Sequence, residues 1–330
     1  MNNDELKKKI ADIIYHTGCT GACCGGMIDH YQQSIFDGTE QSMYNQSIEL
    51  IKTFEEVALQ RNPVGYVVGY SGGKDSDVLV DLFRKSGVKF MVMHNHTTLD
   101  APETVYYVRR KFAEWKAQGI PCKIYYPEMS FWSLCLKKKM LPSRIARFCC
   151  SELKERDIPQ LKFATHSFGV RKSESVRRSL NRDSIEMRDK ENYKDIQLFH
   201  FDKSEEVRQT DTCYTKNYFI VNPLAYWNDN YLWNYIHSER IEINPLYSQG
   251  FDRVGCIGCP MAGLHRVFEF ERYPKYKARF IKLCDDIMEL RKRENLSNKY
   301  GFKNGTEYFN YWLYEELPKG ESLFDMEVQR

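Results

Sequence analysis

Apolar residues recur at helical spacing through residues 4–60, at Ile10, Ile13 and Ile14 and again at Ile48, Ile51, Phe54 and Val57. Between the two sets runs Gly18-Cys19-Thr20-Gly21-Ala22-Cys23-Cys24-Gly25-Gly26, whose glycines predict a loop. After Pro63 the pattern shifts to short apolar runs of strand type at 66–70, 89–94, 122–126, 163–166 and 218–221. Helical stretches separate them. Residues 75–85 place Val78, Leu79, Leu82 and Phe83 on one face, and Pro102 opens a helix that runs to Gln118 before Gly119. This alternation predicts βαβ units, hence an α/β fold with a five-stranded parallel sheet covered on both faces. Residues 181–216 are polar without apolar periodicity, which predicts a surface excursion with room for a hairpin. Helices follow at 228–237, 264–273 and 274–293, the last aligning Phe280, Leu283, Ile287 and Leu290. The expected organisation is an N-terminal helical region with a Cys-rich loop (1–60), the sheet domain (61–260) and a C-terminal helical region (261–330).

Composition narrows the classes. The 330 residues are 42% hydrophobic, enough for a real core and too many for widespread disorder. A formal net charge of +3 does not announce a nucleic-acid binder. Basic residues nevertheless gather at Lys137, Lys138, Lys139, Arg144 and Arg147, and at Arg171, Lys172, Arg177, Arg178 and Arg182. No apolar run reaches the roughly 20 residues that span a bilayer. Met1-Asn2-Asn3-Asp4-Glu5 lacks the signal-peptide pattern, so a cytoplasmic protein without membrane contact is expected. Eleven cysteines, an odd number, point in a reducing compartment to metal or cluster ligation or thiol chemistry rather than a disulfide framework.

The hexapeptide Ser71-Gly72-Gly73-Lys74-Asp75-Ser76 lies between an expected strand and an expected helix. Its glycines let the backbone approach an anion, and the N–H groups at the start of the helix face that anion. Ser71 and Ser76 add hydroxyl donors, Lys74 a positive charge, and Asp75 a carboxylate suited to holding Mg2+. The plainer alternative is a tight βα turn without a ligand. The motif is not a Walker loop. It resembles the SGGxDS loop of the PP-loop ATP pyrophosphatases, whose members adenylate a substrate and release pyrophosphate. That resemblance implies a doubly wound parallel sheet of the adenine nucleotide alpha hydrolase-like kind, with ATP at the carboxyl ends of the strands.

Two cysteine pairs stand out. Cys149 and Cys150 are adjacent, and Cys256 and Cys259 form a Cys-x-x-Cys knuckle with glycines and a following proline. Four thiolates could hold zinc or an iron–sulfur cluster, or the pairs could be redox-active without metal. The plain reading is burial as small hydrophobes, the expectation for Cys122, Cys135, Cys213 and Cys284. The layout resembles one PP-loop branch, the phosphoadenosine phosphosulfate reductase family, whose cluster-bearing members hold a 4Fe-4S cluster on a Cys-Cys pair and a Cys-x-x-Cys pair. Further segments match over roughly residues 64–275. Gly169-Val170-Arg171-Lys172-Ser173-Glu174-Ser175-Val176-Arg177-Arg178 looks like the family's Gly-x-Arg-x-x-Glu-Ser-x-x-Arg segment, which contacts substrate anions. Asn244-Pro245-Leu246-Tyr247 and Thr98-Leu99-Asp100-Ala101-Pro102-Glu103-Thr104 also match. The resemblance implies Lys74, Asp75 and Arg171 as catalytic groups, residues 71–76 with Arg171, Glu174 and Arg177 on the nucleotide, and Cys149, Cys150, Cys256 and Cys259 on the cluster.

The chain also departs from the reductases. They attack with a cysteine in a C-terminal Glu-Cys-Gly-[Ile/Leu]-His motif, whereas nothing like it follows Cys284 here. Their phosphate loop is usually degenerate; here it is intact. The expected function is therefore an ATP-dependent adenylating enzyme for sulfur transfer or nucleic-acid thiolation, using ATP, Mg2+ and a 4Fe-4S cluster. It resembles the ATP-dependent component of DNA phosphorothioation and, more loosely, cluster-dependent tRNA thiolases. DNA or tRNA and a cysteine desulfurase are the implied partners, and a homodimer stays open. Two alternatives remain at this point. One is adenylyl sulfate or phosphoadenylyl sulfate reduction with Cys19, Cys23 or Cys24 as nucleophile; the other is a non-catalytic nucleotide or nucleic-acid binder with a structural metal.

Overall fold

The computed structural model describes residues 40–155, 158–161, 163–174, 176–188, 196–198, 218–296 and 301–314. Cys19, Cys23, Cys24 and Cys213 lie outside them. The chain forms two compact units, each assembled from several stretches: a sheet unit (1–94, 106–124 and 157–254) and a helical unit (95–105, 125–156 and 255–330).

The sheet unit begins with helices α1 (Glu40–Thr53) and α2 (Glu55–Arg61). Strand β1 (Tyr66–Gly69) follows, then α3 (Lys74–Ser86), β2 (Phe90–Asn95), α4 (Pro102–Ala117) and β3 (Cys122–Tyr125). Next come β4 (Thr165–Ser167), the short α6 (Val176–Asn181), β5 (Ile185–Arg188), β6 (Ile196–Leu198), β7 (Tyr218–Val221) and α7 (Asp229–Ser238), with α5 (Phe131–Lys138) belonging to the helical unit. The sheet order is β3-β2-β1-β4-β7-β5-β6. β1 runs parallel to both β2 and β4, and β4 parallel to β7. All five expected strands are present. The sheet nevertheless has seven strands rather than five, because the polar excursion supplies β5 and β6, antiparallel to each other, with β5 antiparallel to β7. Glu186 and Arg188 break the apolar pattern in β5, and β6, the edge strand, is only three residues long.

β1 is apolar because both faces are covered: Tyr66, Val67 and Val68 are all fully buried. Val78, Leu79, Leu82 and Phe83 of α3 pack in the same core with Phe54, Phe219 and Trp227. From β1 the chain steps outward to β2 and β3, then returns across β1 to β4 and β7. Strand order thus reverses between β1 and β4, the switch point at which such sheets bind ligands beyond the strands' carboxyl ends.

The helical unit contains α5, α8 (His265–Arg272), α9 (Pro274–Arg293) and α10 (Gly305–Tyr314). Phe280 is its centre, with ring centroids 5.4 Å from Phe131, 5.1 Å from Phe270 and 5.3 Å from Trp312. Each such buried ring stabilises by about 2–3 kcal/mol. Buried Arg266 caps α10, donating to the carbonyls of Trp312 and Leu313 at 3.1 and 2.9 Å. Among the described residues no helix is long and apolar enough to cross a membrane.

Candidate functional site

The loop after β1 is tightly folded on itself. Ser76 Oγ donates to the Gly73 carbonyl at 2.7 Å, Gly73 N–H donates to Ser71 Oγ at 3.3 Å, and the two serine hydroxyls lie 3.3 Å apart. Gly72 turns through φ +75°. α3 starts directly from Gly73, which has no side chain to cap it. The positive end of the helix dipole therefore lies at the loop. The segment from Asn244 to Tyr247 holds the loop from outside. Asn244, fully buried, donates from Nδ2 to the Gly72 carbonyl at 3.0 Å, and the Tyr247 hydroxyl accepts from Lys74 N–H at 3.1 Å. Sequence reasoning had noted this segment as a match without giving it a role. The Lys74 ammonium lies 3.2 Å from Asp75 Oδ2 and near the rings of Trp233 and Tyr247.

β4 delivers the second element of the site. Gly169 passes so close to the loop that a Cβ there would meet the Asp75 carbonyl at 2.9 Å. Two residues on, Arg171 is buried, 1% exposed, with every donor nitrogen engaged. Nε donates to Asp75 Oδ1 at 2.5 Å, Nη1 to Ser173 Oγ at 2.9 Å and Nη2 to Asp229 Oδ1 at 2.8 Å. Its geometry is that of a clamp on Asp75, not of an open fork awaiting an anion. The cation beside it is Arg178, paired with Glu174. Burial lowers the Arg178 pKa, as does the like charge of Arg182, Arg253 and Arg171, while Asp75 supports its charge. Arg178 occupies the final arginine of the matched segment; the Arg177 side chain lies outside the described residues.

One turn into α3, sequence reasoning missed Asp77. It is 3% exposed, accepts from the Tyr70 hydroxyl at 2.6 Å and has no partner for Oδ2. Burial pushes its pKa from 3.8 up to about 7, against the Tyr70 hydrogen bond and the Lys111 charge. The Tyr70–Asp77 bond thereby joins the two ends of the phosphate loop.

In the helical unit the four paired cysteines are all half-buried. Cys149 precedes and Cys150 opens a single π-turn, Cys150–Lys154. The Cys149 thiol donates to Cys150, which raises Cys149, as do burial and the charges of Cys150, Cys256 and Cys259. Cys150 is lowered by that same bond and by Arg147, whose Nη2 lies 3.5 Å from its Sγ. Cys256 is fixed by the Ile257 N–H bond to the Leu99 carbonyl, 2.9 Å, and its thiol meets Thr97 Oγ1 at 3.3 Å. Gly258 holds the knuckle at φ +71°, where Cβ would strike the Phe270 ring, and its N–H donates to Glu269 Oε2 at 2.6 Å.

This donor set fits a sulfur-ligated metal group: four thiols in mutual electrostatic contact, one already favouring the thiolate. Among the described residues the group of ligand atoms close enough to share a single ion is His94, His96 and Asp100, and the four cysteines are not part of it. Cys122, Cys135 and Cys284 are buried elsewhere, and desolvation raises each thiol, to about 11 and about 12 for the first two.

Residues 65–262 match a family model described as the phosphoadenosine phosphosulfate reductase domain. An uncharacterized protein of Methanocaldococcus jannaschii is 23% identical over 298 residues, 88% of this chain and 61% of that protein, so the chain spans about three-fifths of that relative's length. Among solved structures, a phosphoadenylyl-sulfate reductase from Candida auris in its phosphate complex shares 18% identity at a TM-score of 0.44, covering 70% of this chain and 94% of that one. The U34-tRNA thiolase NcsA from Methanococcus maripaludis, with its 4Fe-4S cluster, shares 12% at a TM-score of 0.43, covering 83% and 88%.

Proposed function

Because the chain belongs to the phosphoadenosine phosphosulfate reductase domain family, we propose that it is an ATP-dependent adenylating enzyme serving sulfur transfer, with nucleic acid as the acceptor class. The observation that carries this reading is the intact loop at residues 71–76, set at the reversal of strand order and held there by Asn244 and Tyr247.

The loop amides and the start of α3 would receive the phosphates, and Lys74 would neutralise pyrophosphate as it leaves. Asp75 offers Oδ2 to Mg2+ once Lys74 turns from it to phosphate, while Arg171 keeps the carboxylate aimed. An acceptor oxygen attacks the α phosphorus; its bond forms as the α–β bridge breaks and pyrophosphate departs with the electron pair. Hydrosulfide, freed from a cysteine desulfurase's persulfide when a second thiol reduces it and becomes a disulfide, then attacks the activated carbon. The carbon–oxygen bond breaks, AMP leaves with the electrons, and one proton is released. The crowded arginines Arg178, Arg182 and Arg253 favour a polyanionic acceptor such as DNA or tRNA. Bound at Cys149, Cys150, Cys256 and Cys259, a 4Fe-4S cluster would supply sulfide-binding or electron-transfer chemistry.

Sulfonucleotide reduction is the poorer reading. Its candidate nucleophiles Cys19, Cys23 and Cys24 lie outside the described residues, and Cys122, Cys135 and Cys284 are buried with raised thiols, the opposite of a nucleophile's setting. Pyrophosphate release from ATP, measured on anaerobic, iron-loaded protein with tRNA or DNA and hydrosulfide, tests the proposal. No ATP binding under those conditions would sink it, and sulfite release from adenylyl sulfate would revive reduction.

A further inference from the structure

One cation near the cysteines keeps a buried donor without an acceptor among the described residues. Arg147 sits two residues before Cys149, presented by a turn in which Ala146 N–H bonds Ser143 Oγ at 2.9 Å. Its Nη2 lies 3.5 Å from Cys150 Sγ, while its Nε is buried and has no acceptor. Cys150 and Cys259 both support its charge. Glu155 lies in the same field, yet the guanidinium points at sulfur instead of closing an ion pair with that carboxylate. A buried guanidinium N–H without an acceptor is costly to keep, so the side chain would be expected to swing to Glu155 or to solvent unless something at the cysteines accepts from it.

We propose that Arg147 is a positioning residue for the sulfur cluster, donating from Nη2 to Cys150 Sγ and from Nε to a sulfur of the bound group. The inference rests on the cluster reading above. N–H···S bonds from a cation withdraw electron density from the thiolates and offset the negative charge that four of them bring. Reduction adds a further electron, so this cation stabilises the reduced state more than the oxidised one and raises the reduction potential. Arg147 lies outside the signature pairs, so cysteine spacing alone gives no hint of it.

The test compares the full-length wild type, Arg147→Met, Arg147→Gln and Arg147→Lys after anaerobic reconstitution. Iron and acid-labile sulfide are counted first, then midpoint potentials are measured by redox titration followed by electron paramagnetic resonance. The expected result is equal loading with a midpoint shifted negative in Arg147→Met, and Arg147→Lys lying between it and wild type. Arg147→Gln, which keeps N–H donors without charge, separates hydrogen bonding from charge and serves if the methionine variant does not fold. Wild type that binds zinc, or no iron and sulfide, overturns the cluster reading itself. A loaded wild type whose Met and Gln variants keep the same midpoint overturns the role of Arg147 and leaves the cluster standing.

Discussion

Asp77→Asn has a consequence that can be worked out from the site. The wild-type carboxyl titrates at about 7 in the folded chain against an ordinary 3.8. The folded state therefore holds a proton that the unfolded state has lost, and stability falls as pH climbs between those values. Three pKa units correspond to about 4 kcal/mol over the full window, of which about 3 kcal/mol is sampled between about pH 5 and about pH 8.5. Asparagine cannot ionise, so this slope disappears. Its Oδ1 can still accept from the Tyr70 hydroxyl, while its amide nitrogen takes the place of the unpartnered Oδ2. Any cost of that buried NH2 group is the same at every pH and cancels from the comparison. Glu186, also pushed up to about 7 by burial, contributes the same trend to both proteins and cancels too. Urea unfolding of wild type and variant at the two pH values measures the difference. The variant should gain about 3 kcal/mol on wild type between them. A gain below about 0.5 kcal/mol would show that Asp77 is hydrated or ionised at neutral pH, and would remove the buried acid from the account of the loop.

Three further outcomes follow from the same geometry. Arg171→Met leaves Asp75 without its closest cation and should cost about 3 kcal/mol, with Arg171→Lys recovering part; an unaltered urea midpoint contradicts the clamp. Asn244→Ala removes the bonds to the Gly72 carbonyl and Leu246 N–H, a loss of about 2 kcal/mol, and should weaken ATP binding in calorimetry more than Ser248→Ala, whose hydroxyl bonds only the Pro245 carbonyl. Gly258→Ala forces a Cβ into Phe270 at a positive φ and should destabilise the protein by about 1–2 kcal/mol or more while lowering its iron content; full iron loading with an unchanged melting curve refutes it.

The phosphate loop and the five expected strands were legible because both signals are local. A glycine-rich turn follows an apolar run, and strands buried on both faces carry continuous hydrophobicity. What escaped depends on partners distant in sequence. Arg171 announced itself as a cation at the sheet edge, but its ligation by Asp229 exists only after α7 returns to that edge. Asp77 looked like an ordinary polar residue beside an apolar stripe; the Tyr70 and Tyr107 side chains that enclose it come from other segments. The Asn244 segment carried a local clue, an asparagine accepting from the amide two residues on at the start of a 3-10 turn. Its reach to Gly72 was not readable from spacing. β5 was hidden by the charges of Glu186 and Arg188, and β6, at the edge, by its length of three residues.

The division into two units has a consequence for how the molecule is made. The chain passes between them after His94, Val105, Ile124, Arg156 and Val254, so neither unit is contiguous. During synthesis, Phe131 and Trp132 emerge long before Phe280, the ring they pack against, and Cys149 and Cys150 emerge long before Cys256 and Cys259. An N-terminal nascent chain ending before α8 thus carries exposed aromatic side chains and an incomplete set of thiols. Chaperone dependence and vulnerability of the cysteines to oxidation should peak in that interval and fall once residues beyond Phe280 have left the ribosome. Any metal held by all four thiols could therefore bind only after residues beyond Cys259 have emerged.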